Sequence, residues 1–287
     1  MRLAALTALV MTAFAANSIL NRMAVGPGLI GATDFALIRA VAGAATLGAL
    51  VLMQRRALPL LSRRRIPGAL GLAVYLLGFS FAYLAIDAGI GALILFGGVQ
   101  LTMFAGAVLA GETMPSRRWI GAALAMAGLG WLVWPTGAVA LPFGATAAML
   151  AAALGWGVYS LVGRRATDPL AETAANFILA APLCALALFA VQGAGPSATA
   201  QGIALAILSG AVTSGLGYAL WYAVLPRLKA SVSGLVQLSV PVIAMAGGVL
   251  LLNEAVTPRM AGAALVTLGG IAYGLGAFQR TRGSSGS

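Results

Sequence analysis

Apolar residues fill this chain in long runs, and polar and charged residues gather at the breaks between them. Ten runs can be read, at about 3–22, 32–53, 66–87, 89–110, 119–135, 143–163, 171–192, 199–223, 230–252 and 259–279. Each approaches the roughly 20 apolar residues that a helix needs to cross the hydrocarbon core of a bilayer. The chain is 61% apolar and 8% charged, far below the roughly 25% charge of soluble domains. The pattern predicts an all-α integral membrane protein of ten transmembrane helices, with no soluble domain and no nucleotide-binding fold. The first run, with Arg2 ahead of it and Ala13-Phe14-Ala15 within it, imitates a cleavable leader. Its apolar pattern continues to Leu20, so it reads as a full helix.

Charge adds direction. The net charge is +11, which on a soluble protein would suggest nucleic acid. Here the placement excludes that partner. With ten spans, fourteen of the seventeen basic residues fall on one side: Arg2, the loop from Arg55 to Arg65, and the clusters at Arg117, Arg164, Arg227 and Arg280. Only Arg22 and Arg259 fall on the other side, and Arg39 lies within a span. This positive-inside asymmetry predicts cytoplasmic termini, with the arginines facing anionic lipid headgroups. The 38 glycines read as surfaces where helices approach closely in lipid. The lone Cys184 allows no disulfide within the chain.

The chain also repeats itself. Shifted by 142, Phe14-Ala-Ala-Asn17-Ser18 falls on Trp156-Gly-Val-Tyr159-Ser160, Val99 on Pro241 and Glu112 on Glu254. A one-residue slip then superimposes Gly121-Ala-Ala-Leu124 on Gly262-Ala-Ala-Leu265. The halves are 1–137 and 138–282, five spans each, and 283–287 reads as a linker tail. Five is odd, so the second copy enters the membrane from the opposite side. An inverted-topology repeat is a signature of secondary transporters.

Glu112 and Glu254 each close a span, and each is followed by a Pro-containing turn and then by Gly-Ala-Ala-Leu. In this the chain resembles the drug/metabolite transporter superfamily, EamA type, over essentially its whole length. The aromatic residues of spans three, six and eight are most similar to those of the YddG-type amino-acid exporters. The resemblance implies a protein that exports small metabolites without ATP; a bacterial cytoplasmic (inner) membrane location, a monomer and no cofactor are the accompanying expectations. Amino acids, aromatic or neutral, are the first expectation for its substrate. A drug or nucleotide-sugar carrier of the same superfamily, or a lipid-carrier flippase, are the alternatives.

Transporter sites lie near the bilayer midplane where helices break. Gly97 and Gly98 in the fourth span and Pro241 in the ninth are corresponding weak points, read either as packing kinks or as helix interruptions. Gln100 and Gln237 flank them. Asn17 and Ser18 on the first span, Trp156 and Tyr159 on the sixth, and Tyr218 and Trp221 on the eighth are polar or aromatic. Tyr75, Phe79 and Tyr83 recur every four residues on the third. These side chains line a substrate cavity or pack helices. Arg39 is costly at depth unless it pairs with Asp34, snorkels, or holds a substrate carboxylate. Asp34, Glu112 and Glu254 read as gate or structural residues.

There is no histidine, which excludes serine–histidine and histidine–metal intramembrane enzymes within the chain. No metal site and no Walker A pattern is present in the sequence, and no channel filter or charge ring can be read from it. All six acids lie at span ends or in loops. That predicts facilitated exchange, or coupling through groups near a gate such as Asp34, Asp87 or Glu112.

Overall fold

The computed structural model describes residues 2–58, 60, 63–109, 111, 113, 115–134, 141–163, 168–190, 197–224, 227 and 236–276. Among them there is no strand. The helices are α1 (Arg2–Val25), α2 (Ala32–Met53), α3 (Ile66–Ala82), α4 (Ala88–Leu109), α5 (Ser116–Val133), α6 (Phe143–Gly163) and α7 (Pro169–Ala190). Next comes α8, one continuous rod that is α-helical at Ala200–Leu208, π-helical at Ser209–Leu216 and α-helical again at Gly217–Val224. α9 (Ser239–Leu252) and α10 (Pro258–Leu275) complete the bundle. Six of these, α1, α2, α4, α6, α7 and α8, are long and apolar enough to cross a membrane, and α3 and α9 are shorter apolar helices.

Several helix ends follow from local chemistry. Thr199 and Thr257 cap α8 and α10 by accepting the N–H groups of Gly202 and Met260, both at 3.1 Å. Pro258 opens α10, where its missing N–H leaves nothing unpaired. Asp168 accepts the Ala171 N–H at 3.2 Å just before α7. Asn253 ends α9 in the left-handed conformation, φ 55°.

Packing is led by small residues. A Cβ on Gly71 of α3 would lie 2.7 Å from the Gly155 carbonyl of α6, and one on Gly155 would lie 2.5 Å from the Gly71 carbonyl. The two backbones therefore touch. α5 and α10 meet likewise: a Cβ on Gly121 would lie 2.6 Å from the Gly270 carbonyl, and one on Gly128 would lie 2.8 Å from the Thr267 nitrogen. Rising numbers in α5 meet falling numbers in α10, so the two run antiparallel. α2 and α7 are antiparallel too, since Gly43 meets Phe177 while Arg56 pairs with Asp168.

The principal partnerships keep their pattern when each helix is exchanged for the one five places on. α3–α6 becomes α8–α1, α4–α6 becomes α9–α1, α3–α7 becomes α8–α2, and α2–α7, α4–α9 and α5–α10 map onto themselves.

Two expected weak points come out differently. α4 runs unbroken through Gly97 and Gly98. A Cβ on Gly97 would lie 3.0 Å from Leu129, and one on Gly98 would lie 2.8 Å from Ala153. These glycines serve close packing, not interruption. Pro241 lies in the first turn of α9, which begins at Ser239 after a turn at Leu238. The interruption thus falls three residues before the proline, which has no N–H to donate to the carbonyl four residues back, at Gln237, and whose ring clashes with it.

A bulky side chain at the α3–α6 contact should separate the two backbones. Gly155→Leu is expected to destabilise the protein by about 1–3 kcal/mol or to prevent folding, read as a lowered melting temperature in detergent. A leucine on the lipid-facing side, at Ala151, is the control that should leave the melting temperature unchanged.

Candidate functional site

A narrow cavity opens between α1, α3, α4, α6 and α8. Phe14, Asn17, Ser18, Tyr75, Phe79, Leu95, Phe96, Trp156 and Tyr218 line it. Its wall is an arc of rings. The Phe79 and Tyr75 centroids are 5.2 Å apart, Tyr75 and Trp156 4.8 Å, Trp156 and Tyr218 5.1 Å, and Tyr218 and Phe14 5.6 Å. Tilted and edge-on contacts of this kind hold rings firmly while leaving an apolar surface.

Six of the expected lining residues meet here: Asn17, Ser18, Tyr75, Phe79, Trp156 and Tyr218. Others lie beside the cavity rather than on it. Trp221 packs on Phe14 at 5.9 Å, and Tyr159 stacks on Trp156 at 5.2 Å while its hydroxyl bonds Thr173 at 2.9 Å. Gln100 and Gln237 are half-buried and away from the lining. Tyr83 is buried at the end of α3, its ring 4.7 Å from Phe79 and its hydroxyl donating to the Ala88 carbonyl at 3.3 Å. Each step of four residues turns the helix face by about 40°, so Tyr83 has rotated off the face that Tyr75 presents.

Sequence reasoning missed Phe14, Leu95 and Phe96 on the wall and a hydroxyl cluster behind it. Ser209, Thr213 and Ser214 of the π-helical stretch all bond the Asn17 amide oxygen, at 2.8, 2.5 and 3.4 Å. The signal was present as Ser-Gly-Ala-Val-Thr-Ser-Gly, a polar, glycine-containing stretch in the middle of an apolar run. The extra residue of a π-turn crowds these hydroxyls onto one side, and such turns are frequent at functional sites.

Arg39 is fully buried. Its Nε donates to the Ser214 hydroxyl at 3.1 Å and its Nη2 to the Tyr75 hydroxyl at 2.8 Å. The guanidinium carbon also lies 5.1 Å from the Tyr75 ring centroid and 5.0 Å from that of Phe79. It neither snorkels nor pairs with Asp34, whose carboxylate sits beside Gly31 at the start of α2. Hydroxyls on α3 and α8 are available at its own depth, so it bonds sideways.

One end of the bundle is tied by Arg22, Asp87 and Glu254. Arg22 donates to the Tyr83 and Leu84 carbonyls at the end of α3, at 2.9 and 3.2 Å. It lies 3.4 Å from Asp87 and 3.6 Å from Glu254. Both Glu254 carboxylate oxygens accept the Ala88 N–H, at 2.9 Å each. Glu254 thus pairs with an arginine and caps the positive end of α4. A Cβ on Gly248 would lie 2.2 Å from its carboxylate, so only glycine leaves room for the fold-back. The opposite end holds the pairs Arg56–Asp168, at 3.0 Å, and Arg65–Glu172, bidentate at 2.8 and 2.7 Å. Glu112 lies outside the described residues.

The family model of EamA-like transporters matches residues 143–274. A relative, the uncharacterised protein PA1977 of Pseudomonas aeruginosa, is 46% identical over 268 residues, covering 93% of this chain and 92% of that one. The chain belongs to the EamA-like transporter family. A protein known from a crystal structure has the same fold at 21% identity, with a TM-score of 0.69 over 95% of this chain and 99% of that one. This member of the family is therefore a multi-pass membrane protein, and its family is one of small-molecule transporters.

Burial raises the Glu254 carboxyl above the ordinary glutamate value, and Asp87 adds to the rise. The Ala88 N–H and the Arg22 guanidinium pull the other way. The folded state thus holds this proton more tightly than the unfolded chain does. Its contribution to stability is full at acid pH and is lost as pH rises from the ordinary glutamate value through the raised one. The melting temperature of the wild type minus that of Glu254→Gln should fall across that window. A flat or rising difference would contradict the burial effect.

Proposed function

We propose that this protein exports small metabolites across the bacterial cytoplasmic membrane by alternating access, with amino acids of aromatic or neutral character as its substrates. The observation that carries this reading is the aromatic-walled cavity set between corresponding helices of the two halves. Phe14 and Trp156 occupy the same place in the repeat, and both line it. Rings give a solute an apolar wall, while Asn17, Ser18 and the tyrosine hydroxyls supply a few fixed polar handles.

The helix partnerships, invariant when each helix is exchanged for the one five places on, support two inverted five-helix repeats, 1–137 and 138–282, in a ten-span bundle. Antiparallel α2–α7 and α5–α10 pairs accord with halves that lie upside down to each other. In that arrangement the two ends open by nearly equivalent motions. The arginine clusters support a reading with both termini in the cytoplasm. The Arg22–Asp87–Glu254 cluster then lies on the external side and the Arg56–Asp168 and Arg65–Glu172 pairs on the internal side. The acids lie at helix ends, which favours exchange or facilitated movement over proton coupling at the midplane.

Counterflow of labelled phenylalanine, tryptophan and leucine into proteoliposomes tests the reading, with and without a proton gradient. Flux above that of empty liposomes, independent of the gradient, is the expected outcome. Trp156→Ala should cut it about ten-fold or more and also lower the melting temperature, since the same ring packs on Tyr75, Tyr159 and Tyr218; flux is therefore compared at a temperature where both proteins are folded. No counterflow for any of the three would overturn amino-acid export.

A further inference from the structure

Arg39 is fully buried with one nitrogen idle. Nε and Nη2 are hydrogen-bonded, but Nη1 has no partner. Among the described residues no carboxylate pairs with it; the ion pairs formed use Arg22, Arg56 and Arg65 instead. An unpaired charge away from water costs several kcal/mol, and arginine does not shed its proton on burial. The fold itself does not require the charge at this place. The corresponding position of the second half, 142 residues on, is Ala181.

The guanidinium stands directly behind the cavity wall. Tyr75 and Phe79, which line the cavity, lie against it, and Asn17, which also lines it, is joined to it through Ser214. A structural strut tying α2 to α3 and α8 uses two of the three nitrogens and would work as well with a neutral donor. The third nitrogen and the uncancelled charge call for an anion.

We propose that Arg39 is the anion anchor of the cavity and that the transported solute carries a carboxylate. This rests on the carrier reading of the same cavity. In the structure the Tyr75 hydroxyl accepts from Nη2. On binding, Tyr75 turns aside and the carboxylate bridges Nη1 and Nη2 as a bidentate pair, the geometry to which a guanidinium is fitted. The apolar part of the solute then rests on Trp156, Tyr218 and Phe14. A carboxylate there would offset the buried charge that the Tyr75 and Phe79 rings stabilise in part.

The test uses the full-length protein in uncharged detergent, where the only anion offered in quantity is the probe. Phenylalanine and 3-phenylpropionate share a ring and a carboxylate; phenylalaninamide keeps the ring and loses the carboxylate. The acids are expected to raise the melting temperature and quench tryptophan fluorescence, with the amide about ten-fold or more weaker, the size of one charge-assisted contact. Arg39→Gln should abolish that preference, and Arg39→Lys should retain part of it.

Equal binding of acid and amide overturns the anchor, as does a complete lack of binding by both acids. So does an Arg39→Gln protein that melts lower yet still prefers the acid, because that is a strut. If Arg39→Gln does not fold, the acid-over-amide preference of the wild type decides. Counterflow separates the two readings. Equal flux of acid and amide sinks the anchor and leaves the carrier standing, whereas acid-selective binding without any flux sinks the carrier and leaves the anchor standing.

Discussion

The contact between the backbones of Gly71 and Gly155 sets the geometry of the centre. In lipid, helices are not driven together by the hydrophobic effect, so close association depends on dispersion between surfaces that can approach. Two glycines facing each other let α3 and α6 touch without side chains between them. Tyr75, one turn beyond Gly71, and Trp156, next to Gly155, are then carried to 4.8 Å between ring centroids. The ring arc, the narrowness of the cavity and the position of the Tyr75 hydroxyl before Arg39 all follow from that approach.

The second organising constraint is the absence of water at depth. Each buried polar group must find a partner within the protein. Asn17, Ser209, Thr213, Ser214, Arg39 and Tyr75 solve this together, across α1, α8, α2 and α3, in one connected network. The π-helical stretch of α8 makes it possible by presenting three hydroxyls to a single amide oxygen. A network of this kind holds its members in one arrangement, because breaking any bond strands a buried donor or acceptor. Arg39 is the exception within it, with a nitrogen and a charge left over at the cavity wall.

The two ends differ in kind from the centre. They are held by ion pairs and by capping of helix ends: Arg22 on the carbonyls that end α3, Glu254 on the N–H that opens α4, Arg65 with Glu172 at the far end. Such contacts are partly exposed and exchange readily with water, unlike the backbone contacts of α3–α6 and α5–α10. A bundle with a rigid small-residue interior and polar, solvent-exchangeable ends is suited to opening at its ends while keeping its helix pairs.

Much of the architecture was legible in the sequence. The runs of apolar residues place most of the described helices to within about five residues, because length and hydrophobicity are one-dimensional properties of a membrane span; α9, read from 230, begins at Ser239. The family resemblance was legible for the same reason, being carried by strings such as Gly-Ala-Ala-Leu. The tertiary structure alone decided which aromatic residues face the cavity. Tyr75 and Tyr83 share a spacing but not a direction, since each four-residue step overshoots a full helical turn by about 40° and the difference accumulates. It alone also decided that Gly97 and Gly98 pack rather than break, because a glycine's role depends on what stands opposite it. The same holds for Arg39. A sequence can show that a charge lies at depth, but its partners come from helices 36 and 175 residues away, and only the packing of those helices brings their hydroxyls to it.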